Sequence, residues 1–252
     1  MVKITPCSLA AAAISLVCSR PALAGPPSLD EVVYGAKVEP GISELETRYG
    51  RLTGGPADGE DAFVIEASHG FSTRFYGAAL AIVPLDPGGP RKLDAFALEG
   101  IAPLGPIKSL GIDTALYVEL EKPIHEPANL ETKLLLEKKV GRFDSRLNLI
   151  SEKSLGHAEP IELRYAASAD VEVAEDVHVG AEAFGQLGTT RRVTARGDHY
   201  LGPSVSTEFP AGHDRKLELR AGYLLAIDRA RNEAKGQLRV GLALEFGDHD
   251  KD

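Results

Sequence analysis

The chain of 252 residues has no tryptophan, one methionine and two cysteines. The methionine is Met1, and both cysteines, Cys7 and Cys18, lie close to the amino terminus. If the amino-terminal part is removed, the remaining chain can form neither disulfide bonds nor thiolate metal sites. No motif in the sequence indicates a cofactor, and none is predicted.

The sequence also lacks an apolar run long enough to span a bilayer as a helix, which takes about 20 residues. The longest run follows a basic start and precedes the small residues Ala22, Ala24 and Gly25. This order is typical of a secretory signal peptide. We therefore predict a signal peptide over residues 1–24, cleaved before Gly25. A buried amino-terminal helix and a lipoprotein anchored at Cys18 are the alternatives.

Positive charge is in short supply. The chain has 28 Lys and Arg against 37 Asp and Glu, which gives a formal net charge of −9. Nucleic acid requires a basic surface, so the composition argues against a nucleic-acid partner. The length after the signal peptide suits one large β domain or two small ones.

The sequence is rich in alternation of apolar and polar residues, over segments of about ten residues, and shows no sustained helical stripe. Such alternation predicts β-strands with two different faces. Twelve segments carry the pattern. They are residues 42–52, 61–68, 72–83, 92–101, 109–120, 130–140, 142–152, 160–170, 176–186, 199–209, 215–227 and 236–246.

The connections distinguish a membrane barrel from a soluble sandwich, because both require alternating strands. Long connections rich in Pro, Gly or charge, such as 53–60 and 187–198, alternate with short ones, such as 69–71 and Gly141. The connection 102–108 fits this rhythm least well. Outer-membrane barrels have long outer loops and short periplasmic turns. The pattern therefore predicts an all-β fold, an up-and-down antiparallel transmembrane β-barrel of about 12 strands.

This fold divides the chain into four parts. The signal peptide is followed by a periplasmic lead-in without strand pattern over residues 25–41, the barrel over residues 42–246 and a carboxy-terminal tail over residues 247–252. Aromatic residues are only 6% of the chain, so the two interfacial bands must be built from few side chains. Because this belt is thin, a soluble periplasmic β protein that binds a ligand stays an alternative. The candidate band residues are Phe63, Phe71, Phe75, Tyr76, Phe96, Phe143, Tyr165, Phe209, Tyr223 and Phe246.

The last strand has one apolar and one charged face. In a membrane barrel the apolar face contacts lipid and the opposite face lines the lumen. We expect lipid contact from Leu238, Val240, Leu242, Leu244 and Phe246.

The same alternation places charged residues on the lumen side of other strands. Their acidic excess favours cations and neutral solutes over anions if the lumen is open. Salt bridges among them would instead plug a narrow barrel, and a twelve-stranded barrel is intermediate between filled and open ones. The candidate pore-lining residues are Glu66, Glu99, Asp113, Glu119, Arg146, Arg164, Glu182, Arg220, Arg239 and Glu245.

Catalysis and metal binding are not predicted. Outer-membrane phospholipases and lipid A deacylases carry a His-x-Ser pair, and none of the seven histidines here has Ser two residues on. The loop histidines His125, His157 and His199 show no metal-ligand spacing. The basic loop residues Arg191, Arg192 and Arg196 are candidates for contact with lipopolysaccharide phosphates or with a neighbouring chain.

Two resemblances support the barrel. The final strand, ending in Leu244-Glu245-Phe246, resembles the signal by which the barrel-assembly machinery recognises bacterial outer-membrane proteins, although six residues follow the Phe. Short stretches such as Val33-Tyr34 and Tyr200-Leu201-Gly202-Pro203 resemble an uncharacterised proteobacterial family of small, porin-like outer-membrane barrels. This resemblance implies a Gram-negative outer-membrane location and no settled activity.

The sequence therefore favours a narrow passive porin or transporter for small solutes. The alternatives are a closed barrel with a structural or envelope-interaction role and the soluble ligand-binding protein.

Overall fold

The computed structural model describes residues 29–85, 89–194, 197–212 and 214–247. The predicted cleavage residues Ala22, Ala24 and Gly25 lie outside these ranges, as do Arg196 and the tail beyond Gly247. Among the described residues, no helix is long and apolar enough to cross a membrane.

The described residues form thirteen strands and one short 3-10 helix. Each of the twelve predicted segments overlaps one long strand, and the one strand that was not predicted has only two residues. The strands are β1 Ser43–Thr53, β2 Asp61–Ser72, β3 Phe75–Leu85, β4 Ala95–Pro103, β5 Asp113–Pro123, β6 Asn129–Val140, β7 Phe143–Ser154, β8 Glu162–Ala174, β9 Val177–Thr189, β10 Arg192–Val193, β11 Asp198–Pro210, β12 Arg215–Asp228 and β13 Gly236–Phe246; the 3-10 helix is Arg229–Asn232.

The long strands close into one antiparallel barrel. Each pairs with its neighbour in the chain, and β1 pairs with β13 along its whole length, from Ser43 opposite Phe246 to Thr53 opposite Gly236. The two-residue β10 adds to β9 beside this ring, since β9 also pairs with β8 and β11. The predicted up-and-down barrel of twelve strands is therefore confirmed.

The two ends of the barrel differ. At one end, here called the turn end, residues 73–74, 141–142 and 175–176 connect strands tightly, whereas residues 104–112 form a long connection. At the other, the loop end, the strands are joined by longer connections, as the alternating lengths predict. The loop-end connections are residues 54–60, 86–94, 124–128, 155–161, 190–197 and 229–235.

One predicted turn is wrong. Residues 69–71 were predicted to be a short connection, but β2 continues through them to Ser72, with a register shift between Gly70 and Ser72. Gly70 allows a close backbone contact instead, because a Cβ at this position would overlap the carbonyl oxygen of Glu39. Glycine within a strand can mark the close approach of another backbone.

The outward face is apolar between two aromatic bands. Phe71 and Phe75 are exposed near the turn end, and Phe96 and Tyr223 near the loop end. Phe63 and Phe71 share one face of β2 eight positions apart, which is about 26 Å along a strand. Because barrel strands are tilted by about 40°, this length covers about 20 Å along the membrane normal, most of the apolar band of about 25 Å in outer-membrane barrels. Tyr76, expected in a band, instead faces inward and donates a hydrogen bond to Glu66 at 2.9 Å.

On β13, the exposed positions are Leu238, Val240 and Leu242, at 37, 43 and 41% exposure. Leu238 pairs with Tyr223, so it lies at the level of the loop-end band, whereas Leu242 lies deeper in the apolar zone. Leu244 and Phe246 are half-buried.

We predict a depth-dependent cost of charge on this face. Leu242→Arg should lower the free energy of unfolding in lipid vesicles by about 2–4 kcal/mol, because the charge would lie near the middle of the bilayer. Leu238→Arg, at the level of the aromatic band, is the matched control and should cost about 0–1 kcal/mol. Denaturant titration of both variants checks this, and equal costs would contradict the assigned lipid face.

Candidate functional site

The interior of the barrel contains a segment of its own chain. Residues 29–41, here called the luminal segment, precede β1 and form no strand. Leu29 packs among buried loop-end residues including Leu224 and Ala234. From there the chain descends to the turn end, where Gly41 donates a backbone hydrogen bond to Gly70 at 2.7 Å. The sequence places this stretch in a periplasmic lead-in; in the structure it occupies the lumen.

Wall side chains satisfy the backbone of the luminal segment. Asn148 accepts a hydrogen bond from the N–H of Tyr34 at 2.8 Å and donates one to its carbonyl oxygen at 2.9 Å. Glu137 accepts from the N–H of Ala36 at 2.8 Å. Arg239 donates to the carbonyl oxygen of Glu31. These bonds replace the ladder partners that the segment lacks, since buried backbone groups must be paired.

Side chains of the segment are also anchored. Glu31 forms an ion pair with the buried Lys133. The hydroxyl of Tyr34 donates to Glu99 at 2.9 Å, and its ring lies 4.9 Å from that of Tyr117. Both partners of the Glu31–Lys133 pair are buried, and Lys133 also holds Glu131 of the wall at 3.1 Å.

At the turn end, Lys37 pairs with Asp113 at 3.1 Å. The hydrogen bond to Asp113 raises the pKa of Lys37, although partial burial opposes the shift. The pair thus fixes the lower part of the luminal segment to the start of β5.

Two glycines make room for the segment. A Cβ at Gly50 on β1 would overlap the carbonyl oxygen of Leu29, and one at Gly70 would overlap that of Glu39. The two contacts lie at opposite ends of the segment. The wall is therefore shaped for this chain along its length.

The lumen wall carries layers of ion pairs. Arg48 on β1 is buried and bonds Glu46 at 2.7 Å and Glu66 at 2.6 Å. Arg220 holds Glu218 with two hydrogen bonds, at 2.6 and 2.7 Å, and reaches Glu46 at 3.4 Å. This cluster links β1, β2 and β12 across the final strand.

Two further groups complete the layers. Arg164 bonds Glu131 and Glu152 from a neighbouring part of the wall. Arg146 pairs with Asp144 at 2.8 Å.

The structure places the predicted pore-lining residues in separate groups. Glu66 and Arg220 belong to the Arg48 cluster. Glu99 and Glu119 both lie against the hydroxyl of Tyr117. The others are distributed: Asp113 holds Lys37, Arg146 and Arg164 pair with acidic neighbours, Glu182 lies 3.7 Å from Arg239, and Glu245 stands opposite Glu44 in the sheet register.

A cleft runs beside the luminal segment, with about 440 Å³ of empty space that is partly open to solvent. One side consists of Leu29, Val32 and Val33 of the segment. The other consists of wall residues from β1, β9, β12 and β13. Among these wall residues are Glu46, Arg48, Glu182, Phe184, Arg220 and Arg239.

Sequence reasoning missed the luminal segment, with its anchor Glu31, and the wall residue Asn148 that binds it. Two signals could have indicated it, because Gly50 and Gly70 interrupt strands on the lumen side. A glycine there weakens a strand unless something packs closely against it.

Three carboxylates, Glu44, Glu46 and Glu66, approach closely enough to hold a cation. The guanidinium of Arg48 already bonds Glu46 and Glu66, so it supplies the positive charge there.

A serine and a histidine meet on the outer face near the turn end. Ser43 Oγ lies 2.8 Å from His69 Nδ1, and the imidazole packs edge-on against Phe71. Within the part of the chain that the structure describes, no carboxylate is recorded in contact with His69. A nucleophile, base and orienting acid are therefore not assembled at this pair.

No protein-family model matches the chain, and no curated protein matches it. Solved structures do. The KdgM porin has a TM-score of 0.52 at 13% identity, with 82% of this chain and 99% of that chain covered; a further KdgM structure is a complex with disordered oligogalacturonate. An outer-membrane channel from Pseudomonas putida F1 has a TM-score of 0.59 at 12% identity, covering 86% and 99%.

The NanC porin has a TM-score of 0.53 at 8% identity, covering 80% of this chain and 98% of its own. These proteins are porins and channels rather than enzymes. At such identities the similarity is one of fold. It confirms the resemblance to porin-like outer-membrane barrels, and the chain has their fold.

Proposed function

We propose that the protein is an outer-membrane channel for small solutes, with a passage narrowed by the luminal segment. The observation that carries this proposal is the charged, partly solvent-open cleft between the segment and the wall. A barrel whose only task was structural would gain nothing from leaving such a cleft. Transport would be passive and limited to molecules that fit beside residues 29–33.

Charge supports a preference for cations and neutral solutes. The lumen clusters contain more carboxylates than cations, as in the group where Arg48 faces both Glu46 and Glu66. Rings and clusters of carboxylates favour cation passage.

The luminal segment can undock from the lumen wall without leaving its charged partners on the wall unpaired. Lys133 keeps Glu131 at 3.1 Å when Glu31 departs, and Glu99 keeps Tyr117 at 2.7 Å when Tyr34 departs. In the same way, Arg239 keeps Glu182. Since an uncompensated buried charge is what makes breaking such pairs costly, these second partners lower the cost of release. We propose that movement of the segment widens the channel.

A closed structural or envelope-interaction barrel is the second candidate. The buried ion pairs and the docked segment favour it, because both fill the lumen. The soluble alternative has little support, since the residues exposed between the aromatic bands are apolar.

The remaining envelope features are proposals from the sequence. Residues 1–24 act as a cleaved signal peptide, the final strand is recognised by the barrel-assembly machinery, and the outer face contacts lipid. The exposed Arg191 and Arg192, at the start of the short β10, contact lipopolysaccharide. In this arrangement the loop end faces outward and the turn end faces the periplasm.

We predict that Gly50→Ala opens the channel. The added methyl would overlap the carbonyl oxygen of Leu29, and overpacking of this kind costs about 1–3 kcal/mol. At about 1.4 kcal/mol per factor of ten, the undocked fraction should rise roughly tenfold. Single-channel recording in planar bilayers should show more frequent or larger openings than the unmodified protein.

The matched control is Gly241→Ala on the adjacent β13, where the nearest heavy atom to an added Cβ is Arg220 Cβ at 3.6 Å. It should behave like the unmodified protein. Heat-modifiable migration on a detergent gel confirms that both variants fold. If folded Gly50→Ala conducted no better than Gly241→Ala, the luminal segment would not limit the passage. If the unmodified protein and both variants showed no conductance steps, the closed barrel would be favoured.

We also predict weak cation selectivity that depends on salt. In a KCl gradient, the reversal potential should indicate K⁺ over Cl⁻, because the lumen has an acidic excess. The preference should shrink between about 0.1 and 1 M salt, as the screening length falls from about 10 to 3 Å. A reversal potential that favours Cl⁻ at low salt would show that the arginines dominate the passage.

A further inference from the structure

Positive charge collects on one side of the turn end. The connections between β2 and β3, β4 and β5, and β6 and β7 follow each other around the barrel, and exposed basic residues lie on or beside each of them. Neighbouring strands are about 4.8 Å apart, so these connections are about 10 Å apart, close to the screening length in physiological salt. Their charges therefore act as one patch, here called the basic rim. It consists of Arg74, Lys108, Lys138, Lys139 and Arg142.

The basic rim keeps its charge. Among the described residues, none of its five side chains forms an ion pair. The carboxylates at the same strand ends have other partners, since Asp113 pairs with Lys37 at 3.1 Å and Asp144 pairs with Arg146 at 2.8 Å. Glu39 of the luminal segment is an exposed acidic residue at the β2 edge of the rim. The rim therefore presents a net positive charge to whatever lies beside the turn end.

The opposite side of the same end is acidic. The connection between β8 and β9 carries Glu175 and Asp176, and both are exposed. Two basic residues, Arg215 and Lys216, begin β12, and Glu208 lies 3.7 Å from Lys216 Nζ. An anionic partner at the turn end is therefore attracted to the basic rim and repelled by the connection between β8 and β9.

An ordered apolar projection lies within the basic rim. It is the connection 104–112, which is held to the start of β5 by a hydrogen bond from the hydroxyl of Thr114 to the carbonyl oxygen of Gly105 at 2.7 Å. Three of its large aliphatic side chains are 42 to 62% exposed, namely Leu104, Ile107 and Leu110. The projection extends the exposed apolar surface of the barrel past the turn-end aromatic band, so the headgroup region of a bilayer is the surface that fits it.

We propose that the basic rim and the projection 104–112 together dock anionic phospholipids of the phosphatidylglycerol class. The lysines and arginines of the rim donate hydrogen bonds to lipid phosphates, and the aliphatic side chains of the projection lie among the upper parts of the acyl chains. Buried apolar area and attraction to anionic lipid both strengthen binding at a membrane surface. The inference rests on the proposed function, in which the barrel lies in the outer membrane with its turn end toward the periplasmic leaflet.

Because the chain has no tryptophan, a single introduced one reports only the lipids beside it. Val140→Trp places it in the basic rim, and Val173→Trp places it beside the acidic connection between β8 and β9. The two valines are matched, since both are near the turn end and 59 and 54% exposed. Each folded variant is placed in vesicles of equal phosphatidylcholine and phosphatidylglycerol, with one lipid or the other brominated. Brominated acyl chains quench tryptophan fluorescence on contact, so the two measurements give the local ratio of the lipids.

Around the tryptophan of the Val140→Trp protein, phosphatidylglycerol should be favoured over phosphatidylcholine about fivefold, the effect of one basic residue near a lipid surface. In the Val173→Trp protein, phosphatidylglycerol should not be favoured, because the neighbouring carboxylates repel its phosphate.

Removal of charge assigns the preference to the basic rim. Lys139→Gln together with Arg142→Gln, added to the Val140→Trp protein, should abolish the preference for phosphatidylglycerol. The matched control adds Arg215→Gln and Lys216→Gln to the same protein. It removes two charges from the opposite side of the turn end and should leave the preference unchanged.

Equal lipid ratios at the two tryptophan positions, or a preference that survives loss of both rim charges, would overturn the lipid surface and favour a soluble acidic partner instead. Heat-modifiable migration on a detergent gel confirms that each variant is folded. Conductance separates this failure from that of the channel. If the barrel conducts K⁺ but shows no lipid preference, the surface is wrong and the channel stands. If it shows the expected preferences but never conducts, the surface stands and the channel is wrong.

Discussion

Closure of the hydrogen-bond ladder is the constraint on which the rest of the structure depends. In lipid, every backbone N–H and C=O must find a partner within the protein, so a sheet that spans a membrane can have no open edge. Pairing of β1 with β13 and of β8 with β9 meets this requirement. Twelve strands then fix the circumference of the barrel, and this circumference encloses more space than side chains from the wall alone fill.

The luminal segment fills part of that space, and its own backbone N–H and C=O groups also need hydrogen-bond partners. A chain without strand partners needs donors and acceptors from elsewhere, and Asn148, Glu137 and Arg239 provide them. Close approach to the wall needs small residues, and Gly50 and Gly70 provide it. The same physical rule that closes the sheet therefore also selects the side chains inside it.

The sequence predicted the strands well because each spans two different environments, and alternation with a period of two records this difference directly. The final strand was predicted at its observed limits, 236–246, since lipid on one side and polar groups on the other act on every residue. Gly70 was misread because glycine signals both a turn and a close contact, and only the contact with Glu39 tells them apart. The luminal segment has no periodic pattern of its own, since it pairs with side chains scattered over many strands, and only the strand glycines Gly50 and Gly70 signal its presence. The sequence therefore predicted the residues of the lumen wall but not the segment that lies inside the lumen.

The ion pairs and the luminal segment together set the charge that a solute experiences inside the barrel. Most carboxylates in the lumen are held by arginine or lysine, so the net charge counted from the sequence overstates the field along the passage. The close pair of Arg48 and Glu66, at 2.6 Å, keeps most of its attraction within the pair, so a passing solute feels little of either charge. Selectivity in a lumen of this kind depends on how its charges are paired and on the segment beside them, rather than on the total number of acidic residues.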